Sequence, residues 1–337
     1  MSIWLLLPVA AIASYFLTGA LRRYALSASM IDVPNARSSH TVPTPRGGGV
    51  AIVVSFLLGL LVLGYFGAVS GAWVGGLLGA GVIAALVGFL DDHGHVPARW
   101  RLLGHFSAAA WGLAWLGGAP PLELFGVIFN LGWVGHVLAA VYLVWLLNLY
   151  NFMDGIDGLA SCQAVTVCTG GALLCLLGGD TSQLWLCGLL LAAVAGFLVW
   201  NFPPAKIFMG DAGSGFLGII IGLLALHATW ISPTFFWSWL ILLGVFIVDA
   251  TWTLLRRLLR GEKVHEAHRS HAYQYASRQY KSHRVVTISV LLINILWLMP
   301  LALLVGSGFL DGLVGLLIAY LPLAGLALKF KAGQREA

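Results

Sequence analysis

An all-α, polytopic membrane bundle is the fold class this sequence predicts, and three observations predict it. Of 337 residues, 60% are hydrophobic and 9% are charged, against roughly 25% charged in a soluble globular domain. A soluble fold of this size has too few charges to cover its surface, and so apolar a chain is not a disordered one. The apolar residues fall in runs near the ~20 that a helix needs to cross a bilayer, with roughly 17–25 tolerated. Finally, the 18 Lys and Arg residues all fall on one set of alternating loops. The net charge of +5 therefore reads as topology, and nucleic acid is excluded as a partner.

The runs predict about eleven spans in one domain over 1–337: 3–21, 48–66, 70–90, 102–118, 132–149, 158–178, 184–200, 213–229, 236–255, 285–305 and 310–328. The first has no basic residue ahead of it and Arg22 and Arg23 behind it. That is the flank order of a retained first helix with its N-terminus outside, unlike a cleaved signal peptide. Residues 119–131, where Pro120, Pro121 and Glu123 precede a short apolar run, read as a re-entrant or interfacial piece. Eleven spans from an outer N-terminus leave 22–47, 91–101, 150–157, 201–212, 256–284 and the tail 329–337 on the basic side. By the positive-inside rule that side is the cytoplasm. The sequence thus predicts a periplasmic N-terminus, a cytoplasmic C-terminus and chemistry on the cytoplasmic face of the bacterial inner membrane. The opposite loops carry only Glu123, Asp180 and Asp311. Cys162, Cys168, Cys175 and Cys187 lie in apolar stretches without a C-x-x-C pair, so they predict packing, with neither disulfide nor zinc.

Acids are costly near a bilayer, so their positions are informative. Asp91 and Asp92 end the third span, Asp154 and Asp157 follow the fifth, and Asp211 follows the seventh. Adjacent carboxylates repel unless a cation or a proton compensates. Oxygen donors select Mg²⁺, with Mn²⁺ the alternative. Magnesium keeps water and substrate phosphates around one or two carboxylates, so five acids cannot all be ligands. Helix capping competes for Asp157 and Asp211, each of which precedes a span. It does not fit Asp91 and Asp92 at a helix end, where the dipole is unfavourable.

Gly47 to Gly49 and Gly210, Gly213 and Gly215 open spans, where backbone N–H groups can meet a phosphate; Arg46 strengthens the first. In the basic loop 256–284, His265, His268 and His271 recur every three residues and would share a helix face. The string His265-Glu-Ala-His268 has i,i+3 spacing, which excludes the i,i+4 zinc-protease motif. Phosphate recognition by Arg269 with His268 and His271 is preferred. Asp249, inside the ninth span, reads as a hydrogen-bonded partner within the bundle. His105, His136 and His227 read as structural.

Five segments in order carry a resemblance: Asp32-Val-Pro-Asn-Ala-Arg37 with His40 and Pro45 to Gly48; Gly88 to Asp92; Asn148 to Gly158; Phe208 to Gly215; and His268 to His271. Together they resemble the polyprenyl-phosphate N-acetylhexosamine-1-phosphate transferases, which include the peptidoglycan phospho-N-acetylmuramoyl-pentapeptide transferases. The resemblance implies transfer of a sugar 1-phosphate from a UDP-N-acetylhexosamine to undecaprenyl phosphate, with release of UMP. It implies Mg²⁺ held by Asp211 and Asn151, and an acidic pair, Asp91 and Asp92, at the lipid phosphate. It implies catalytic or nucleoside roles for Asp154 and Asp157, and substrate contacts at Arg46, Asn148, Asn151, Phe208, His268, Arg269 and His271. The resemblance leaves room for a homodimer. His268-Arg-Ser-His271 departs from the consecutive histidines usual in the pentapeptide enzymes, and looks most like the branch that starts O-antigen, lipopolysaccharide or related surface polysaccharides. That branch uses GlcNAc or a 6-deoxy relative such as FucNAc or QuiNAc. A transporter or flippase is the alternative, but transporters place their sites near the midplane, whereas these acids crowd one edge.

Overall fold

A computed structural model describes residues 3–34, 39–94, 96–262 and 268–335. Arg37 of the first motif and His265 lie outside the described residues. The chain is 75% helical, an all-α multi-pass membrane protein. Helices occupy every segment in which a span is expected. They are α1 (Leu6–Ser27), α2 (Val50–Tyr65), α3 (Gly71–His93), α4 (Ala98–Trp115), α5 (Gly132–Met153), α6 (Leu159–Gly178), α7 (Thr181–Asn201), α8 (Asp211–Ile231), α9 (Thr234–Leu242), α10 (Gly244–Leu259), α11 (Ala272–Tyr280), α12 (His283–Ile293), α13 (Met299–Gly306) and α14 (Gly312–Lys329). A π-helical turn, Asn294–Leu298, joins α12 to α13. Among the described residues eight helices are long and apolar enough to cross a membrane, or nine if the bent pair α9–α10 counts as one span, against the eleven apolar runs of the sequence. Helix α2 is shorter, and α4 carries Arg99 and Arg101 in its first turn.

Helix α8 is the centre: 83% of its apolar window is buried, against 22% for α1. It is hydrophobic all round, as a helix surrounded by others must be. Small residues let α5 approach it. A Cβ on Gly218 would stand 2.6 Å from the Leu147 Cα, a backbone approach that membrane helices use in place of a hydrophobic driving force.

Two segments depart from simple spans. Residues 119–131 hold a hairpin, β3 (Leu122–Leu124) with β4 (Val127–Phe129), antiparallel with Leu124 opposite Val127. The linking pair Phe125 and Gly126 has positive φ at both positions, the requirement of a type I′ turn. Trp237 Nε1 donates to the Glu123 carbonyl at 2.8 Å and pins the hairpin to α9. The ninth span bends by 74° between α9 and α10. A break frees carbonyls that lipid cannot satisfy. Gln163 Nε2 donates to Leu242 O at 2.9 Å, while Asn294 Nδ2 donates to Gln163 Oε1 at 2.7 Å. The bend is thus tied to α6 and to the π-turn by a buried amide pair.

Two further short strands, β1 (Ile31–Asp32) and β2 (Thr44–Pro45), pair ahead of α2. They bring the 39–49 segment over the end of the bundle where the acids lie.

Candidate active site

The acid-bearing end is assembled from segments distant in sequence. Gly48 and Gly49 donate their N–H groups to Phe208 O and Met209 O, both at 2.9 Å, and Phe208 N–H donates to Pro45 O at 2.8 Å. This ladder sets Arg46 beside α3, where its guanidinium donates to the Asp92 carbonyl. It also uses the N–H groups of Gly48 and Gly49, which are therefore not offered to a phosphate. The second glycine turn is likewise used: Gly213 and Ser214 donate to Gly210 O, and Ala212 donates to Asp92 Oδ2 at 3.2 Å.

Asp92 therefore caps α8 from across the bundle, although it ends α3. The competing capping reading of Asp211 is not met. Asp211 is the first helical residue after Gly210 and makes no cap bond. Its carboxyl instead meets the Asp91 carboxyl and the Asn151 side-chain amide. Asp157 does not cap α6 either. Its Oδ2 accepts from Ala205 N–H at 3.0 Å and its Oδ1 lies 3.0 Å from His283 Nδ1. The other ring nitrogen of His283 lies 2.9 Å from the Ser39 carbonyl.

Two cavities meet here. The first, about 210 Å³, is polar and lined by Arg46, Asp92, Asp154, Asp157, Phe208 and Asp211 among others. The second, about 520 Å³, runs between α3, α4 and α5 with mostly apolar walls, and has Asp91, Arg101, His105 and Asn148 at its polar end. Asn151 and Asp211 line both.

Burial pushes the Asp154 carboxyl well above the usual carboxylate range, and the charges of Asp211, Asp92 and Asp157 push the same way. Burial would also raise Asp157, but the bonds from His283 and Ala205 and the charges of His283 and His40 outweigh it, and its pKa is lowered. Asp154 has a consequence for stability. The unfolded chain loses this proton near its ordinary value of 3.8, while the folded chain holds it to higher pH. Between those points the folded state binds more protons, so stability falls as pH rises. Asp154→Asn removes that slope. Its thermal midpoint in detergent is expected to match wild type near pH 4 and to exceed it at pH 8.

Asp91 is paired with Arg101 and accepts from Val96 N–H at 2.8 Å. Among the described residues no group of three or more His, Cys, Asp or Glu is arranged to hold a metal by itself. Mg²⁺ would take one or two carboxylates and leave the rest to water and phosphate. Asp211 and Asn151 supply hard oxygen donors in contact with each other, and the crowding of Asp91, Asp92 and Asp211 favours a cation there.

The structure brings Asp91, Asp92, Asp154, Asp157, Asp211, Arg46, Asn148, Asn151 and Phe208 to these two cavities. It does not bring His268, Arg269 and His271, which line neither. His268 to Ser270 are not helical, so His268 and His271 share no helix face. The physical reason is Asp249. Its carboxylate takes the N–H groups of Ala272 and Tyr273 at 2.9 and 3.0 Å, and His271 Nδ1 lies 3.3 Å away. The segment therefore turns inward to start α11. Burial, then the charges of His271 and Arg257, lower His268 to about 3, leaving a neutral ring.

Sequence reasoning missed four residues. Gln274 and His283 line the first cavity, and Arg101 and His105 the second. His40 stands edge-on to Phe208, ring centroids 4.9 Å apart. Each meets the site only through a contact distant in sequence. The one available signal was that Arg101 follows Asp91 at a distance the next helix start can close.

Comparison with known proteins follows the same residues. Residues 74–229 match glycosyl transferase family 4, a stretch that contains Asp91, Asp92, Asp154, Asp157 and Asp211. The chain is 32% identical over 288 residues to a probable undecaprenyl-phosphate N-acetylglucosaminyl 1-phosphate transferase of Bacillus subtilis, covering 83% of this chain and 79% of that one. It is 33% identical over 231 residues to the decaprenyl-phosphate N-acetylglucosaminephosphotransferase of Mycolicibacterium smegmatis, covering 63% and 57%. It is 32% identical over 231 residues to a phospho-N-acetylmuramoyl-pentapeptide-transferase of Streptococcus pneumoniae, covering 64% and 67%.

Proposed function

The chain belongs to glycosyl transferase family 4 and is a membrane sugar-phosphate transferase, and from that premise we propose that it moves an N-acetylhexosamine 1-phosphate from a UDP-sugar to undecaprenyl phosphate, releasing UMP. The observation that carries this reading is the shared wall: Asp211 and Asn151 belong to a polar cavity on one side and an apolar one on the other. A water-soluble diphosphate and a lipid phosphate can meet only at such a junction. The donor is UDP-N-acetylglucosamine or a 6-deoxy relative, and the product starts an O-antigen or related surface polysaccharide. The relatives' acceptors and sugar support the chemistry. The one-sided placement of Lys and Arg supports a site on the cytoplasmic face of the plasma membrane.

In the reaction a lipid phosphate oxygen attacks the sugar-linked phosphorus, one P–O bond forms, and the bond to the bridging oxygen breaks as UMP leaves. A phosphate monoester with a second pKa of ~6 is already largely ionised near neutral pH, so positioning matters more than a base. Arg101 receives the lipid phosphate at the polar end of the apolar cavity, and Asp91 holds the Arg101 guanidinium in place. Phe208 offers a ring to the nucleobase, and Asp157, fixed by His283, an acceptor to its imide N–H. Asp211 and Asn151 hold Mg²⁺, with Mn²⁺ the alternative, and when bound it neutralises charge on the diphosphate oxygens. EDTA is expected to stop UMP release and added Mg²⁺ to restore it.

The test is UMP release by purified protein given undecaprenyl phosphate, Mg²⁺ and a panel of UDP-sugars. No UMP from any donor, with protein shown to be folded, refutes the proposal. His283→Ala unties Asp157 from the Ser39 carbonyl. Loss of a hydrogen bond to a charged group is worth about 1.5–3 kcal/mol. The donor KM is therefore expected to rise by roughly tenfold or more with kcat changed little, as read from initial rates against donor concentration.

A further inference from the structure

A third cavity, about 440 Å³, lies between α10, α11, α12 and α14 and shares no lining residue with the two cavities of the active site. Lys329 and Tyr280 apart, the polar groups that line it are already used. The Asp249 carboxylate takes Thr253 Oγ1 and the N–H groups of Ala272 and Tyr273. Ser289 donates to Val285 O at 2.8 Å, and the Tyr273 hydroxyl donates to Phe152 O at 2.9 Å. What remains for an occupant is a carbon surface, suited to an acyl chain.

The exposed end of the cavity has a different character. Lys329, the last residue of α14, lies over the Phe330 ring at 5.5 Å, and Tyr280 stands edge-on to Phe330 at 6.2 Å. Among the described residues no acid pairs with Lys329. Aromatic rings with a cation at the end of a span are the usual furniture of the headgroup level. Bilayer lipid is also at hand, since Leu321 and Leu328 on α14 are 69% and 52% exposed.

We propose that this cavity binds one acyl chain of an anionic phospholipid, with its phosphate at Lys329, and that occupancy braces the active-site turn. The brace is Tyr273. Its ring walls the cavity and its hydroxyl holds Phe152, two residues before Asp154. A Cβ on Gly155 would stand within 2.1 Å of that hydroxyl, so the tyrosine and the turn are in close contact. A filled cavity keeps α11 pressed against the turn, and an empty one lets Tyr273 retreat from it.

Binding can be read without activity, by native mass spectrometry of the detergent-purified full chain titrated with phosphatidylglycerol or phosphatidylcholine. One Lys near an anionic headgroup is worth about 1 kcal/mol, or about fivefold in affinity. Phosphatidylglycerol is expected to bind about that much more tightly. Lys329→Ala should erase the preference. Ser289→Phe, at an exposed position lining the cavity, should reduce binding of both lipids. Equal affinity for the two lipids in the wild type, a preference that survives Lys329→Ala, or undiminished binding of both lipids in Ser289→Phe overturns the site. The bracing rests on the transferase reading above. In nanodiscs UMP release should be higher with phosphatidylglycerol, and Lys329→Ala should lose that gain. Equal rates in both lipids with the binding preference intact overturn the bracing. No UMP in any nanodisc, with the binding preference intact, overturns the transferase reading and leaves the lipid site standing.

Discussion

Asp211→Ala is expected to abolish transfer while leaving the protein folded in the membrane. Asp211 is one of two residues lining both cavities, and its carboxyl contacts Asp91 and Asn151. Removing it takes away a cation ligand where charge develops on the transferring phosphoryl group. Losing one such stabilising group costs about 10²–10³ in kcat, and the metal's share makes a loss of at least about 10³ the expectation. Stability should barely change. The N–H of Ala212 is held by Asp92, so α8 keeps its cap. An acid in the first helical turn contributes only about 0.3–1 kcal/mol, and relief of repulsion from Asp91 and Asp92 offsets it. UMP release and thermal unfolding of the same preparation check both halves. Activity above about a tenth of wild type would remove Asp211 from its assigned role.

Gly88→Ala should have the second largest effect, through geometry alone. A Cβ there would lie 2.4 Å from the Asp211 carbonyl carbon and oxygen and 2.5 Å from Ala212 N. All three are backbone atoms, so no side-chain rotation relieves the overlap, and α3 must move away from α8. Overpacking of this kind costs about 1–3 kcal/mol. The shift also carries Asp91 and Asp92 away from Asp211, and a displacement of about 1 Å can cost 10²-fold in rate. Gly325→Ala on α14 is the control: nothing lies within 4 Å of its added Cβ. Ala favours a helix over Gly by about 1 kcal/mol, so this variant should be as active as wild type and slightly more stable.

The parts of this molecule legible in its sequence are those written in local composition. Helices stand where apolar runs predict them, because a bilayer leaves a backbone few alternatives. Five acids and Arg46 come together at one end because each sits next to a span terminus. What was not legible depends on contacts between distant segments. The bend at Leu243 needs Gln163 and Asn294 from other spans. The 119–131 hairpin depends on Phe125 tolerating positive φ and on Trp237 reaching Glu123. Asp92 looks miscast at a helix end until α8 is seen to begin beside it. His268 and His271 look like phosphate ligands by type and spacing, yet Asp249 holds His271 inward at the start of α11, and neither ring lines either cavity. Residue type announced a polar, anion-handling surface, while partner choice decided which members of it face the cavities.

The central claim is that a phosphoryl group crosses from nucleotide to lipid at the wall shared by the two cavities. A UDP-sugar carrying ³²P at the sugar-linked phosphorus tests it most directly, with purified protein, undecaprenyl phosphate and Mg²⁺. The account predicts label in the lipid fraction and unlabelled UMP in the aqueous one, both lost in Asp211→Ala. Label that stays in the aqueous phase as UDP while sugar enters the lipid would mean sugar transfer without phosphate, and would contradict it.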